Sequence, residues 1–400
     1  MHTHSRLGEF WRARWQPLVA CGSVFLVMVV VLLFRLGTLL PHRGYSAREV
    51  VAQSASHSLH GILHDPTNAP YKLVARGLIQ LRPHSLLPMR LTSVLFGLGT
   101  IVLFYYLVHH WHGRRVAIMS TLLFGLSSWL LHVARIGTPD VMLFGVFALF
   151  VCGVRLKDSH RPRWVTIASF VLFAAALYLP GLVWFLAAGV IWQAKTIWAT
   201  IRRTPVLVTI LAVLLMFVLL APLAWGIYHT PHIIRELLGL PAALPSPLHI
   251  LKNMALIPVH VFIRSASNPE MWLATLPLLT IFDIFMCIIG GYIYVRYHSL
   301  TRSKLLAGIS IISLVLISLG GAVTISVLVP FVYLVIAAGL AYLLDQWLAV
   351  FPRNPIARSV GVGVVAIVVG LSCIYNLRSY FVGWPHAAPT QAVFTETKPL

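Results

Sequence analysis

Acidic residues are scarce in this 400-residue chain: ten Asp and Glu stand against thirty Lys and Arg, a formal net charge of +20. Charged residues of both signs make up only 10% of it, where ordinary globular domains carry about 25%. So few charges cannot solubilise a surface of this size. With 59% hydrophobic residues and a mean hydropathy of +0.87, the composition excludes both a soluble enzyme and a disordered chain. Cysteine is sparse too. Cys21, Cys152, Cys287 and Cys373 each fall inside an apolar run, and no two share metal-ligand spacing. Neither a disulfide framework nor a zinc site is expected, and the four thiols read as small buried hydrophobes. The chain also lacks internal repeats, low-complexity segments, a catalytic triad and a phosphate-cradling glycine loop.

What the chain does have is long apolar runs. Clear candidate spans lie near 17–40, 91–111, 116–133, 141–156, 206–228, 272–295 and 359–377, each close to the length that crosses a bilayer. Two longer stretches cover 164–194 and 305–344. The first would be about 46 Å long as a single helix, well beyond a hydrocarbon core of ~30 Å.

Loop charge sets the parity. The connections 112–115, 155–163, 195–204, 296–304 and 351–358 together hold 14 Lys and Arg, whereas 134–140, 178–181 and 319–324 hold one, Arg135. The first set is therefore cytoplasmic. Both long stretches then cross an even number of times, with breaks at Tyr178-Leu179-Pro180-Gly181 and near Gly320-Gly321. The expected fold is an all-α polytopic membrane protein with about eleven spans, N-terminus inside and C-terminus outside, in the plasma (inner) membrane. Arg6, Arg12 and Arg14 agree with that orientation, and the first run reads as a retained anchor rather than a cleaved signal peptide. The net positive charge would suggest nucleic acid in a soluble chain; here it belongs to cytoplasmic loops and anionic headgroups, and no nucleic-acid partner is expected.

The membrane domain runs over 1–377, with long external loops at 41–90 and 229–271 and a short external tail, 378–400. Loop one carries apolar residues at helical spacing (Val51, Ala55, Leu59, Ile62, then Val74, Leu78, Leu81). These predict two amphipathic helices on the membrane surface, with Asp65-Pro66-Thr67-Asn68-Ala69-Pro70 as the turn. Loop four contains Pro231, Pro241, Pro245, Pro247 and Pro258, and is expected to be irregular. Trp384-Pro385-His386 of the tail is a candidate cover over the outer face.

The acids are few enough to take singly. Glu9, Asp158, Asp345 and Glu396 read as solvated charge balance. Asp65 stands where a turn favours Asp, and Glu236 and Glu270 on loop four carry no local signal. Ser46-Ala47-Arg48-Glu49 fits a capping box; the same carboxylate, at the outer face, is also suited to take a proton from an acceptor hydroxyl. Asp140, after Arg135-Ile136-Gly137-Thr138-Pro139, fits a helix N-terminus or a functional acid. Asp283 falls near the middle of the eighth expected span, either as an intramembrane functional acid or as a hydrogen-bonding partner of a neighbouring helix. Ten basic residues map to the external loops: Arg43, Arg48, Lys72, Arg76, Arg82, Arg90, Arg135, Arg235, Lys252 and Arg264. They suit headgroups by snorkelling or, facing a cavity, a lipid phosphate.

Over about 35–200 the chain resembles the C-superfamily of integral-membrane glycosyltransferases, in particular the branch of protein O-mannosyltransferases and lipid A aminoarabinose transferases. The resemblance rests on an outer loop with an acid about ten residues in, Asn68-Ala69-Pro70-Tyr71-Lys72, Met89-Arg90-Leu91-Thr92-Ser93-Val94-Leu95-Phe96-Gly97, a Gly113-Arg114-Arg115 cytoplasmic turn, and Ala134-Arg135-Ile136-Gly137-Thr138-Pro139-Asp140. It implies a polyprenyl-phosphate-linked sugar as donor, a protein or glycolipid hydroxyl as acceptor, and inverting transfer on the outer face. Glu49 would be the general base, Lys72 would contact the donor phosphate, and Arg135 and Asp140 would line the same cavity. The branch often shows an acidic pair in the first loop; here Arg48 precedes Glu49, so that Glu49 is partly neutralised or another residue shares its task, and Arg48 and Arg135 join Lys72 as expected contacts of the donor phosphate. A divalent cation at Asp140 and Glu49 is compatible with these residues and not required by them. The competing expectation is a transporter or flippase of an anionic lipid or lipid-linked sugar, with Asp283 as its ion site.

Overall fold

The computed structural model describes residues 19, 21–40, 44–81, 85, 87–156, 162–265 and 268–395. Arg6, Glu9, Arg12, Arg14, Arg43, Arg82, Asp158 and Glu396 lie outside them. The described residues form no strand; the chain is all-α and multi-pass. A first apolar helix, α1 (Cys21–Leu33), leads into loop one. There α2 (Ala47–His57), α3 (Leu59–His64) and α4 (Ala69–Ile79) follow in succession. Loop one thus holds three helices rather than the expected two. Ser58 is the added break: extended, it ends α2 and caps α3 by accepting from the Gly61 amide at 2.9 Å.

The bundle continues with α5 (Leu87–His112), α6 (Arg114–Gly125), α7 (Ser128–Arg135), α8 (Phe144–Leu156), α9 (Trp164–Ala176), α10 (Leu182–Arg203) and α11 (Val206–His229). Loop four carries α12 (Ile233–Leu237) and α13 (Pro247–Phe262), and the bundle continues with α14 (Ile281–Arg296), α15 (Thr301–Ser318), α16 (Val329–Val350) and α17 (Pro355–Arg378). Among the described residues seven helices are long and apolar enough to cross a membrane, eight if α6 and α7, bent by 62°, count as one span. The expected eleven is reached only by adding α1, α9 and α14, which are shorter.

Both expected breaks are present. Pro180 and Gly181 separate α9 from α10, with Gly181 at φ +76°, and Gly320 at φ +69° separates α15 from α16. Positive φ is where glycine carries no steric cost.

Two sequence expectations are corrected. Loop four is not irregular throughout: Pro247 stands in the first turn of the 16-residue α13, where proline is tolerated, and Ser246 caps it. Asp283 is not mid-span. The segment from Trp272 to Thr280 is apolar but not helical, so Asp283 becomes the third residue of α14 and closes a capping box with Thr280.

The core is built around α16. Of the apolar stretch of Ile325–Val350, 83% lies inside the protein, against 11% for Val206–His229. α11 accordingly offers Leu207, Ile210, Leu214 and Phe217 to lipid. At the crossing of α14 and α16 the backbones touch: a Cβ on Gly290 would meet the Val335 carbonyl at 1.9 Å, and one on Gly339 the Met286 carbonyl at 2.0 Å. Lipid tails give no hydrophobic reward for helix association, so close small-residue contact of this kind holds the helices together.

Candidate active site

At one end of the bundle meet the start of α2, the start of α5, the α7–α8 junction and the end of loop four. The capping box is formed: Ser46 Oγ accepts from the Glu49 amide, and Glu49 Oε2 accepts from the Ser46 amide, each at 3.2 Å. Glu49 does more than cap. Arg90 donates Nε to Oε1 and Nη2 to Oε2, both at 2.8 Å, and the Gly137 amide donates to Oε1 at 2.8 Å. Arg90 also donates to the carbonyls of Leu36 and Gly44. Glu49 is wholly buried, at 0% exposure. Gly137 is required by this closeness, since a Cβ there would lie 2.8 Å from Met89 Cβ and 3.2 Å from Glu49 Oε1. One carboxylate thus ties together loop one, α5 and the turn after α7.

Arg48 makes a different set of contacts. Its Nη2 donates to Asp140 Oδ1 at 3.2 Å and Oδ2 at 2.9 Å, while Nη1 donates to Glu270 Oε2 at 3.3 Å. Ser46 Oγ donates to Glu270 Oε1 at 2.6 Å, and Thr138 Oγ1 orients Asp140 by donating to Oδ2 at 2.9 Å. The side chains are 48% exposed for Arg48, 20% for Asp140 and 7% for Glu270, so among these carboxylates Asp140 is the one open to solvent. Burial works against the Arg48 charge, but Asp140 and Glu270 together outweigh it and hold its pKa above the ordinary guanidinium value.

Loop four and the tail hold Glu270 in place. The Glu270 amide donates to Asn268 Oδ1, and the preceding Pro269 carbonyl accepts from Trp384 Nε1 at 3.0 Å and Thr390 Oγ1 at 3.4 Å. The tail folds into a π-helical turn (Ser379–Gly383), α18 (Trp384–His386) and α19 (Ala388–Val393), burying Tyr380, Trp384 and Phe394.

The other sequence candidates have partners of their own. Arg135 donates to the carbonyls of Val31 at 2.8 Å and Phe34 at 2.6 Å, and its guanidinium lies over the rings of Tyr380 and Phe381. It closes the C-terminal end of α1, where a cation is favoured. The space lined by Arg90, Arg135, Tyr380 and Trp384 measures about 10 Å³, room for roughly one water. Lys72 Nζ binds Asp65 Oδ2 at 2.6 Å and the Asp65 carbonyl at 2.8 Å. Glu236 of α12 joins this second group; burial and then Asp65 push its pKa up, against Lys72 and His232. Asp283 Oδ2 accepts from the Thr280 amide and hydroxyl, while Oδ1 is buried without a hydrogen-bond partner among the described residues. Among the described residues no three His, Cys, Asp or Glu side chains are grouped to hold a metal ion.

Sequence reading gave Glu270 no role and Arg90 no partner. Their connections span 224 residues (Ser46 to Glu270) and 41 residues (Glu49 to Arg90), distances that no local pattern encodes.

No protein-family model and no curated protein matches the chain. Solved structures do. ArnT from Cupriavidus metallidurans bound to undecaprenyl phosphate aligns at 15% identity with a TM-score of 0.54, covering 92% of this chain and 76% of that one. The same protein in the apo state aligns at 15% identity and a TM-score of 0.51, covering 94% and 77%. The chain shares the fold of ArnT. The match spans nearly the whole chain, so the second half, where the sequence carried no motif of the superfamily, shares the architecture as well.

Proposed function

We propose that the chain transfers a sugar from a polyprenyl-phosphate carrier to a hydroxyl acceptor at the outer face of the plasma (inner) membrane. The observation that carries this reading is the Arg48–Asp140 pair: a half-exposed guanidinium and a partly exposed carboxylate, bonded to each other at one end of the bundle. Support also comes from ArnT, the structural neighbour that binds undecaprenyl phosphate.

The acceptor hydroxyl oxygen attacks the anomeric carbon as the bond from that carbon to the phosphate oxygen breaks. The electron pair leaves with the polyprenyl phosphate, and the acceptor proton passes to a carboxylate. Direct displacement inverts the anomeric centre. Asp140 is the base in this scheme rather than Glu49. Both Glu49 oxygens are committed to Arg90, Gly137 and Ser46 with no exposure, so reaching an acceptor would mean breaking a buried ion pair. Glu49 is a positioning residue that fixes the start of α2, and hence Arg48.

Arg48 neutralises charge growing on the leaving phosphate. An incoming phosphate competes with Asp140 for the guanidinium, and Asp140 is freed as a base when the donor arrives. Thr138 keeps the carboxylate oriented meanwhile. Lys72 meets a donor phosphate only by exchanging its contact with Asp65, and Arg135 holds α1.

The test uses purified protein in lipid nanodiscs with a panel of polyprenyl-phosphate sugars and hydroxyl acceptors, following release of polyprenyl phosphate. Consumption of one donor only with an acceptor present supports transfer. Movement of a lipid-linked sugar across proteoliposomes without cleavage would replace this reading with transport.

A further inference from the structure

The end of the bundle opposite the Arg48 group carries a cavity that the transfer reading does not use. α6–α7 runs from Arg114 to Arg135, and α17 runs from Pro355 to Arg378 just before Tyr380. The first turns of α6 and α17 therefore lie away from Asp140. Between them and the end of α16 is a cleft of about 550 Å³, lined by Arg115, Arg353 and Arg358 at one end and by Leu348, Val362 and Ala366 along its wall. No acidic side chain lines it, and none of the three arginines is in an ion pair among the described residues. The Arg358 guanidinium donates to the Pro352 carbonyl.

Depth and shape are also informative. Trp347 packs on Gly361 and donates its indole N–H to the Ala357 carbonyl at 2.9 Å, next to the cleft. Tryptophan with one wet and one apolar side marks the headgroup level of a bilayer. From Arg358 to Ala366 the α17 wall falls by about 12 Å at ~1.5 Å per residue, the depth of a glycerol backbone and the first methylenes of its chains. A Cβ on Gly363 or Gly370 would meet nothing within 4 Å, so this wall is open to an occupant along its length.

We propose that this cleft binds one anionic phospholipid of the cytoplasmic leaflet, with its phosphate among Arg115, Arg353 and Arg358 and an acyl chain along Val362, Gly363 and Ala366. Three unpaired guanidinium groups above an apolar wall match a phosphodiester attached to a hydrocarbon chain. A free phosphate would match the arginines but leave the wall unused.

The experiment reconstitutes the full chain with spin-labelled phosphatidylglycerol or phosphatidylcholine and measures the immobilised lipid fraction by electron paramagnetic resonance. Wild type should hold phosphatidylglycerol in preference to phosphatidylcholine. At about fivefold per arginine near an anionic surface, Arg353→Gln with Arg358→Gln should lower that preference about 25-fold. Gly363→Leu, which keeps all three charges and enters open space, should displace the acyl chain and lower it as well. Equal retention of both lipids by wild type, or no change in both variants, overturns the proposal. So does full displacement of the lipid by millimolar inorganic phosphate, which would make the cleft a site for a free anion.

Discussion

Arg90 grips Glu49 through two parallel hydrogen bonds of 2.8 Å in a place without solvent, while the neighbouring Arg48 meets Asp140 at 2.9 Å in a place half open to it. Two adjacent residues of α2 thus belong to two chemically different pairs, one structural and one able to exchange partners.

Breaking the closed pair should cost stability first. Glu49→Gln leaves the Arg90 charge buried and unbalanced, a loss of about 3–5 kcal/mol. Thermal unfolding in detergent should show a large drop in Tm. Glu49→Gln combined with Arg90→Met should fall well short of the sum of the two single effects, because the double change leaves no lone charge.

Removing the open carboxylate should cost turnover first. Asp140→Asn keeps the shape of the side chain and its contact with Thr138, so Tm should stay near wild type. Loss of a general base is expected to slow transfer by about 10²–10⁴-fold, read from initial rates at saturating donor.

Arg48 and Glu270 should separate by kinetic parameter. Arg48→Gln removes a charge-assisted contact to the donor phosphate, and kcat/KM should fall by roughly 10- to 100-fold. Glu270→Gln leaves Arg48 less neutralised and less fixed, so KM for the donor should fall while kcat falls about tenfold. A fall in kcat with unchanged KM in both variants would remove donor binding from this group.

The α14–α16 crossing should tolerate no side chain. Gly339→Leu drives its Cβ into the Met286 carbonyl at 2.0 Å, where backbone and not a flexible side chain must yield. Overpacking of ~1–3 kcal/mol or more is expected, seen as loss of monodisperse protein after extraction.

What the sequence disclosed was what is local. Ser46 and Glu49 are three residues apart, and their capping box was legible as spacing. The breaks at Pro180-Gly181 and Gly320 followed from loop charge and span length. Asp283 was misplaced because hydropathy counts apolar residues whether or not they are helical, and Trp272–Thr280 is apolar, with Leu278 and Leu279 buried, yet not helical. Loop four hid α13 because prolines suggest breaks, whereas Pro247 starts a helix. Glu270 was silent for a further reason: its partners Ser46 and Arg48 come from loop one, and its neighbour Pro269 is held by the tail. Only the folded chain brings those segments together.

The central claim is the division of labour between Asp140 and Glu49. It is tested most directly by single-turnover release of polyprenyl phosphate from a bound donor, compared between Asp140→Asn and wild type at matched folded fraction. Donor binding with release slowed by at least about 10²-fold is the expected result. Release at the wild-type rate in Asp140→Asn, with loss of release in a folded Glu49→Gln, would contradict it and return the base to Glu49.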